Sequence, residues 1–213
     1  MKKLVLYSDQ IPLISSKIDI EMLALLNNPN PRIGYIPSAA DRQRLYYYKR
    51  QEYYSRLGIS LEVYFELDEN YDSNTLDTLL SCDAIHLSGG NTYYFLYWLR
   101  KRNMIDTLIQ YVAQGGVLLG VSAGSILMTP DISTSALRGK SKPIEGETDY
   151  SGLNLVNFSF LPHCDDISLL LDKIRKYSLD HQSVVYAAKD SGGIIVNGDN
   201  IRCVGDVYKI DER

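Results

Sequence analysis

The sequence predicts an α/β fold in which a mostly parallel sheet is covered by helices on both faces. Short apolar runs alternate with segments of helical periodicity over residues 1–128. Two of these runs, residues 83–87 and 116–119, end in glycine turns that lead into helical segments. The 213 residues, 45% of them hydrophobic, can bury a sizeable core. Because no repeat, low-complexity tract or linker interrupts the chain, we predict one domain over residues 1–213.

The first elements are a strand, a helix and a strand. Residues 2–7 (KKLVLY) form a short apolar run that is typical of a buried strand. Residues 15–27 place their apolar side chains on one helical face. The sequence Asn-Pro-Asn-Pro at 28–31 breaks this helix, and residues 32–37 (RIGYIP) form the second predicted strand.

Residues 41–57 predict a tyrosine-rich helix that ends at a glycine. Tyr46 and Tyr53, like Tyr47 and Tyr54, are seven residues apart and are expected to share a face. This face could bind a ligand, but we favour an amphipathic face that rests on the sheet.

The alternation continues to residue 128 and then changes. Further strands are predicted at residues 59–67, 83–87 and 116–119, and helices at residues 73–80, 92–103, 104–114 and 125–128. Residues 129–152 are polar without periodicity, so we predict a long surface loop. After it we predict a strand at 155–161, a helix at 166–177, a strand at 184–188 and small antiparallel strands within 192–213, with a turn at 197–200.

Charge and cysteine content exclude several classes of protein. The net charge of −4 gives no general attraction for nucleic acid or anionic membranes. No apolar run reaches 18 residues, and the N-terminal run is too short for a secretory leader. Cys82, Cys164 and Cys203 are odd in number and contain no CxxC pair, which argues against a disulfide framework or a zinc site. We therefore expect a cytoplasmic protein with no nucleic-acid or membrane partner.

The sequence Gly-Val-Ser-Ala-Gly at 120–124 predicts a nucleophile elbow at Ser122. It follows an apolar strand and precedes a helical segment, which is the context that this motif requires. A sharp turn between strand and helix would expose the hydroxyl at the edge of the sheet. The alternative is a purely structural glycine turn.

A second glycine turn, Ser-Gly-Gly-Asn-Thr at 88–92, should lie at the same edge of the sheet, where ligands bind. The N–H groups of Gly90 and Ala123 could together form an oxyanion hole. The alternative is a tight turn in which Asn91 or Thr92 caps the next helix.

The chain has three histidines that could activate a serine. His163 follows the strand predicted at 155–161 and so belongs at the sheet edge. His86 lies inside a strand, which favours a hydrogen-bonded core residue, and His181 lies in a polar loop, which favours a solvated residue. We therefore select His163 as the base.

Two carboxylates could orient this imidazole. Asp190 follows the strand predicted at 184–188, and Asp165 lies two residues beyond His163. Asp166 is better interpreted as a helix cap. The order serine, histidine, acid excludes a standard α/β-hydrolase, in which the acid lies between the other two.

These motifs resemble peptidase family S51, the dipeptidase E (α-aspartyl dipeptidase) family, which is related to cyanophycinase. The resemblance rests on residues 88–92, 120–125 and 152–163 (GLNLVNFSFLPH), and it extends over approximately residues 2–207. It implies a class I glutamine amidotransferase-like (flavodoxin-like) three-layer fold that needs no metal or cofactor.

The resemblance also implies roles for individual residues. Ser122 would be the nucleophile, His163 the base, and the Gly90 and Ala123 amides the oxyanion hole. The family's acid lies in a strand-end turn after the histidine, commonly a glutamate before glycine, and Asp190 falls at that place. The related glutaminases use an acid two residues after the histidine, which keeps Asp165 as the alternative. With serine in place of cysteine, glutaminase activity is disfavoured.

One family motif is absent. Aspartyl dipeptidases carry a Gly-Glu-Thr-Arg-like stretch after the histidine, and its arginine binds the acidic side chain of the substrate. Here residues 164–170 read CDDISLL, and Asp165 and Asp166 disfavour an anionic group. The resemblance therefore implies a serine-type peptidase of short peptides, with its preference for N-terminal aspartate open. A non-catalytic member of the fold and a serine acyl hydrolase of non-peptide substrates are the alternatives.

Overall fold

The computed structural model describes residues 1–139 and 142–213. Its strands are β1 (Lys3–Tyr7), β2 (Arg32–Ile36), β3 (Ser60–Tyr64), β4 (Ala84–Leu87), β5 (Val117–Val121), β6 (Ser159–Leu161), β7 (Val185–Ala188), β8 (Gly193–Asn197), β9 (Asn200–Val204) and β10 (Val207–Ile210). Its α-helices are α1 (Ser16–Leu26), α2 (Leu45–Ser55), α3 (Leu76–Leu80), α4 (Thr92–Lys101), α5 (Met104–Ala113), α6 (Ala123–Leu127) and α7 (Leu171–Asp180). Short 3-10 helices cover Ser73–Thr75, Ser133–Ala136 and Ile167–Leu169.

The main sheet has seven strands in the order β3-β2-β4-β5-β1-β8-β9. The first five pair in parallel, while β8 runs antiparallel to β1 and β9 antiparallel to β8. The predicted turn at 197–200 joins β8 to β9 as a hairpin in which Asn197 pairs with Asn200. This mostly parallel sheet confirms the predicted α/β class.

Both faces of the main sheet are buried. Leu4 and Leu6 of β1 belong to a core that includes Phe95 of α4, whereas Val5 and Tyr7 belong to a second core that includes Ile18 of α1. Alternate residues of a strand point to opposite faces. An unbroken apolar run is therefore what a strand covered on both sides requires.

A second sheet of three strands, in the order β10-β7-β6, was not predicted. Strand β6 pairs in parallel with β7, and β10 pairs antiparallel with β7. The predicted strand at 155–161 shortens to β6, because only its last three residues find a partner strand. The carboxyl ends of β6 and β7 face the same way, so the segments that follow them are brought together.

The tyrosine-rich helix begins later than predicted, at Leu45. Tyr47 and Tyr54 are buried, in agreement with the amphipathic interpretation, and Tyr53 is 6% exposed. Tyr46 is 69% exposed, so the helix face that it shares with Tyr53 rests on the core only from Tyr53 onward. It lies in the first turn of α2, and its ring lies beside the Lys49 ammonium group instead of the core.

The segment predicted as a surface loop, residues 129–152, is partly buried. Ile132 and Thr134 are fully buried, and Thr134 Oγ1 donates to the Phe160 carbonyl of β6 at 2.9 Å. Near the end of this segment, the carbonyls of Asp149 and Ser151 accept hydrogen bonds from the Arg100 side chain of α4. Residues 140–141 of this segment lie outside the described residues.

Across residues 1–139 and 142–213, every helix is too short or too polar to cross a membrane.

Candidate active site

Ser122 sits in the tight turn between β5 and α6, with φ 52° and ψ −107°. A residue with a side chain rarely adopts this conformation, and it costs about 1–3 kcal/mol. The turn is held by hydrogen bonds from Ser122 N to the Tyr7 carbonyl at 3.1 Å and from Ser125 N to the Ser122 carbonyl at 3.0 Å. The sharp turn predicted between strand and helix at Ser122 is present.

The two glycines of the motif are required by close backbone contacts. A Cβ at Gly120 would lie 2.5 Å from the carbonyl carbon of Gly124, and a Cβ at Gly124 would lie 2.1 Å from the carbonyl oxygen of Leu87. The turn therefore packs against its own strand and against β4 with no room for side chains.

His163 lies two residues beyond β6, with its ring Nε2 at 2.7 Å from Ser122 Oγ. Its backbone has φ 58°, and its N–H donates to Ser8 Oγ at 2.7 Å. Ser8 Oγ in turn donates to the Ala188 carbonyl at the end of β7. Ser8, at the end of β1, thus joins the main sheet to the second sheet and fixes where the imidazole stands.

Asp190 lies two residues beyond β7, and its Oδ1 is 2.6 Å from His163 Nδ1. Because an ionised carboxylate only accepts, it places the ring proton on Nδ1 and leaves Nε2 free to accept from Ser122. The Asp165 carboxylate accepts the backbone N–H of Asp190 at 3.3 Å. The structure therefore brings Ser122, His163 and Asp190 into one hydrogen-bonded chain, and Asp165 lies behind Asp190.

The Gly90 turn lies beside the elbow. Gly90 has φ +142°, and a Cβ there would lie 2.0 Å from Ser38 Oγ. The turn is fixed by Ser38, whose N–H donates to Ser88 Oγ and whose hydroxyl donates to the Gly89 carbonyl. Among the described residues, neither the Gly90 N–H nor the Ala123 N–H has an acceptor. Two amides are therefore available next to Ser122.

The sheet edge at Ser122 and His163 opens into two cavities. The first, of about 440 Å³, is lined by Arg138, Thr134, Leu161 and Asp165. The second, of about 460 Å³, is lined by Asp9, Tyr35, Tyr46 and Arg50. Ser122, His163 and Gly90 line both cavities.

The other two histidines occupy the positions expected of them. His86 is 1% exposed, its Nδ1 is 2.7 Å from the Tyr54 hydroxyl, and its ring stacks on Tyr35. Burial lowers the pKa of His86 well below 6.5. His181 is exposed and stacks on the ring of Tyr177.

Predicted caps are also found. Asp166 accepts the N–H of Ser168 as the cap of a 3-10 helix, and Asn91 accepts the N–H groups of Tyr93 and Tyr94 at the start of α4. Both residues are therefore accounted for by local structure.

Two polar residues at this edge were missed by the sequence analysis. Ser8 supports His163, and Asp9 places a carboxylate oxygen within 4.8 Å of a His163 ring nitrogen and an Asp190 oxygen. Their position directly after β1, at the edge where β4 and β5 end, was the available signal. Among the described residues, the one set of side chains placed to share a metal ion is Asp9, His163 and Asp190. Both ring nitrogens of His163, however, already have hydrogen-bond partners.

Relatives of the chain include proteins named as peptidases. It is 28% identical over 141 residues to an uncharacterized peptidase of Listeria innocua, across 63% of this chain and 65% of the relative. It is 26% identical over 145 residues to peptidase E of a Nostoc species, across 67% of this chain and 56% of the relative. The chain thus spans less than two thirds of the length of each of these two relatives.

Solved structures share the fold. A Listeria monocytogenes protein provisionally named peptidase E superposes with a TM-score of 0.72 at 23% identity, covering 96% of this chain and 98% of that one. A peptidase from an acI-B1 actinobacterium gives a TM-score of 0.61 at 18% identity, covering 100% of this chain and 92% of that one.

The model of one family matches nearly the whole length of the sequence. The match covers residues 13–204, which include the elbow, the Gly90 turn and the segment that leads to His163. The resemblance noted from the motifs is confirmed: the chain belongs to peptidase family S51.

Proposed function

We propose that the chain is a serine-type peptidase of short peptides, in which Ser122, His163 and Asp190 form the catalytic triad. The observation that carries this proposal is the continuous hydrogen-bonded chain, 2.7 Å from Ser122 Oγ to His163 Nε2 and 2.6 Å from His163 Nδ1 to Asp190 Oδ1. Both distances are within the reach that proton transfer requires. Membership of a peptidase family supports a scissile peptide bond as the target.

The first half of the reaction forms an acyl-enzyme. Ser122 Oγ attacks the peptide carbonyl carbon while its proton passes to His163 Nε2. Asp190, bonded to Nδ1–H, stabilises the imidazolium that results. The tetrahedral intermediate then collapses: the C–N bond breaks, and the leaving amine takes the proton from Nε2.

The second half releases the acid. A water molecule attacks the ester carbonyl and gives its proton to Nε2. Collapse of the second intermediate returns that proton to Ser122 Oγ and frees the product carboxyl group. In both halves the negative oxygen would receive hydrogen bonds from the Gly90 and Ala123 amides, which have no acceptor among the described residues.

The shape and charge of the site favour a small substrate. The first cavity is lined in part by Thr134 and Arg138, and its volume of about 440 Å³ suits a few residues of peptide. Asp165 also lines this cavity and opposes an acidic group close to it. We therefore propose a dipeptidase-like enzyme without assuming aspartate as the first residue.

Two measurements test the proposal. The first is covalent labelling with a fluorophosphonate, expected for the wild type and lost in Ser122→Ala. The second is a dipeptide panel that varies the first residue, with Ser122→Ala as the control. Failure of every dipeptide with intact labelling would favour a serine acyl hydrolase of other substrates, and failure of both would favour a non-catalytic member of the fold.

A further inference from the structure

Ser122 stands on the boundary between the two cavities of the catalytic edge, because it lines both together with His163 and Gly90. A peptide whose carbonyl carbon reaches Ser122 Oγ must extend to either side of that atom. The acyl part of the substrate then occupies one cavity and the leaving amine part occupies the other.

Asp9 places a carboxylate in the second cavity, on one side of Ser122. It is half-buried in the second cavity, and one of its carboxylate oxygens lies within 4.8 Å of a His163 ring nitrogen and of an Asp190 oxygen. The ring does not use it, since Nδ1 is bonded to Asp190 and Nε2 to Ser122.

The carboxylate of Asp9 has spare capacity to accept hydrogen bonds. Its Oδ1 accepts the backbone N–H of Gln10 at 2.7 Å, which fixes the side chain in place. Among the described residues Asp9 forms no ion pair. Arg50, in the same cavity, donates instead to the carbonyl and side-chain oxygens of Gln10. A half-buried carboxylate in this situation is suited to a cationic partner.

The chemistry of a peptide supplies such a cation at this position. The α-amino group of the first residue is separated from its carbonyl carbon by a single carbon atom, so it must lie next to the nucleophile during attack. In a peptide with a free N-terminus this group is an ammonium ion. An acetylated N-terminus would bring a neutral amide and an additional acyl group to the same place.

We propose that Asp9 binds the free α-ammonium group of the substrate and so restricts the enzyme to the first peptide bond of unblocked peptides. This inference rests on the peptidase function proposed above. The second cavity then holds the amino-terminal residue, and the first cavity holds the leaving part. Asp9 is a specificity-determining residue and takes no proton in the reaction.

The test compares matched peptides with free and N-acetylated amino termini. The wild type is expected to favour the free peptide by at least about tenfold in kcat/KM. Asp9→Asn keeps an oxygen that can accept from Gln10 N but removes the charge. It should lower kcat/KM for the free peptide by about 10- to 100-fold, mainly through KM, as loss of a charge-assisted hydrogen bond predicts, and should change kcat/KM for the acetylated peptide much less.

Two further variants keep the test specific. Asp9→Glu retains the charge and should recover part of the preference for the free peptide. Asp106→Asn, an exposed change of the same charge in the first turn of α5, should retain the full preference.

Three outcomes would overturn the inference. The first is equal cleavage of free and acetylated peptides by the wild type. The second is an equal fall for both substrates in Asp9→Asn, which would assign the charge of Asp9 to support of His163. The third is no cleavage of either peptide by wild-type enzyme that is labelled at Ser122, which would remove the peptidase function itself.

Discussion

The carboxylate of Asp165 accepts the backbone N–H of Asp190 at 3.3 Å, while the carboxylate of Asp190 contacts His163. The two candidate acids therefore lie in series behind the imidazole. Of these two, only Asp190 is hydrogen-bonded to a ring nitrogen; it follows β7, the strand beside β6, whereas Asp165 lies two residues beyond His163 in the same segment. This arrangement separates the expected effects of the two acids.

We predict that Asp190→Asn lowers kcat by about 10²- to 10⁴-fold, because an amide at this position no longer stabilises the imidazolium or fixes the ring tautomer. Asp165→Asn still offers an oxygen to the Asp190 N–H and should lower kcat by about tenfold or less. The measurement is kcat on a cleaved dipeptide, together with the rate of fluorophosphonate labelling. A larger loss in Asp165→Asn than in Asp190→Asn would reverse the assignment of the acid.

The close packing of the elbow glycines predicts that an added methyl group lowers the stability of the fold. In Gly124→Ala the new methyl group would meet the Leu87 carbonyl oxygen at 2.1 Å, so the elbow must move away from β4. We expect a loss of about 2 kcal/mol or more in the free energy of unfolding, measured by urea denaturation.

Gly89→Ala is the matched control for this change. The nearest atom to its new methyl group would be Ser122 Cβ at 3.5 Å, an ordinary contact. It should cost less than about 1 kcal/mol. Equal losses in the two variants would mean that the close packing of the elbow on β4 does not limit stability.

The candidate site could be predicted from the sequence where close backbone packing requires a short glycine motif. Gly120 and Gly124 are required by contacts with neighbouring backbone, so their spacing around Ser122 is readable without a structure. His163, and Asp190 as one of two candidate acids, were predicted from their places after apolar runs, because parallel strands end at a common edge.

The rest depended on contacts between segments far apart in the chain. The second sheet forms when β10, which begins at Val207, pairs with β7, which ends at Ala188. Strands of three to five residues carry too little periodicity for their partner strands to be predicted. Asp9 belongs to no motif. Its position close to His163 becomes visible only when β1 is placed beside β5 and opposite the end of β6.

Burial of His86 predicts a pH dependence of stability. Since its pKa is lowered well below 6.5 in the folded protein, the folded state keeps it neutral while the unfolded state takes up a proton below about pH 6.5. The unfolded state then binds more protons, so stability is present above about pH 6.5 and is lost as the pH falls toward the lowered pKa. The slope approaches about 1.4 kcal/mol per pH unit.

His86→Gln should remove this contribution, because glutamine does not titrate. The measurement is the free energy of unfolding of both proteins between pH 7.5 and 5.5. The difference between the two should shrink by about 1 kcal/mol over this range as the wild type loses stability. Parallel pH profiles would show that His86 is protonated in the folded protein.

The strained backbone of Ser122 predicts a difference in stability between two variants that lack its hydroxyl. Ser122→Ala and Ser122→Gly both lose the hydroxyl and its bond to His163, but only glycine is at ease at φ 52° and ψ −107°. Relief of about 1–3 kcal/mol of strain is partly offset by the greater freedom of glycine in the unfolded chain, about 0.5–1 kcal/mol. We therefore expect Ser122→Gly to be more stable than Ser122→Ala by about 1 kcal/mol in urea denaturation. An alanine variant of equal or greater stability would show that the turn relaxes once the hydroxyl is gone. The contact with His163 would then hold residue 122 in its strained conformation, and the packing of Gly120 and Gly124 would not.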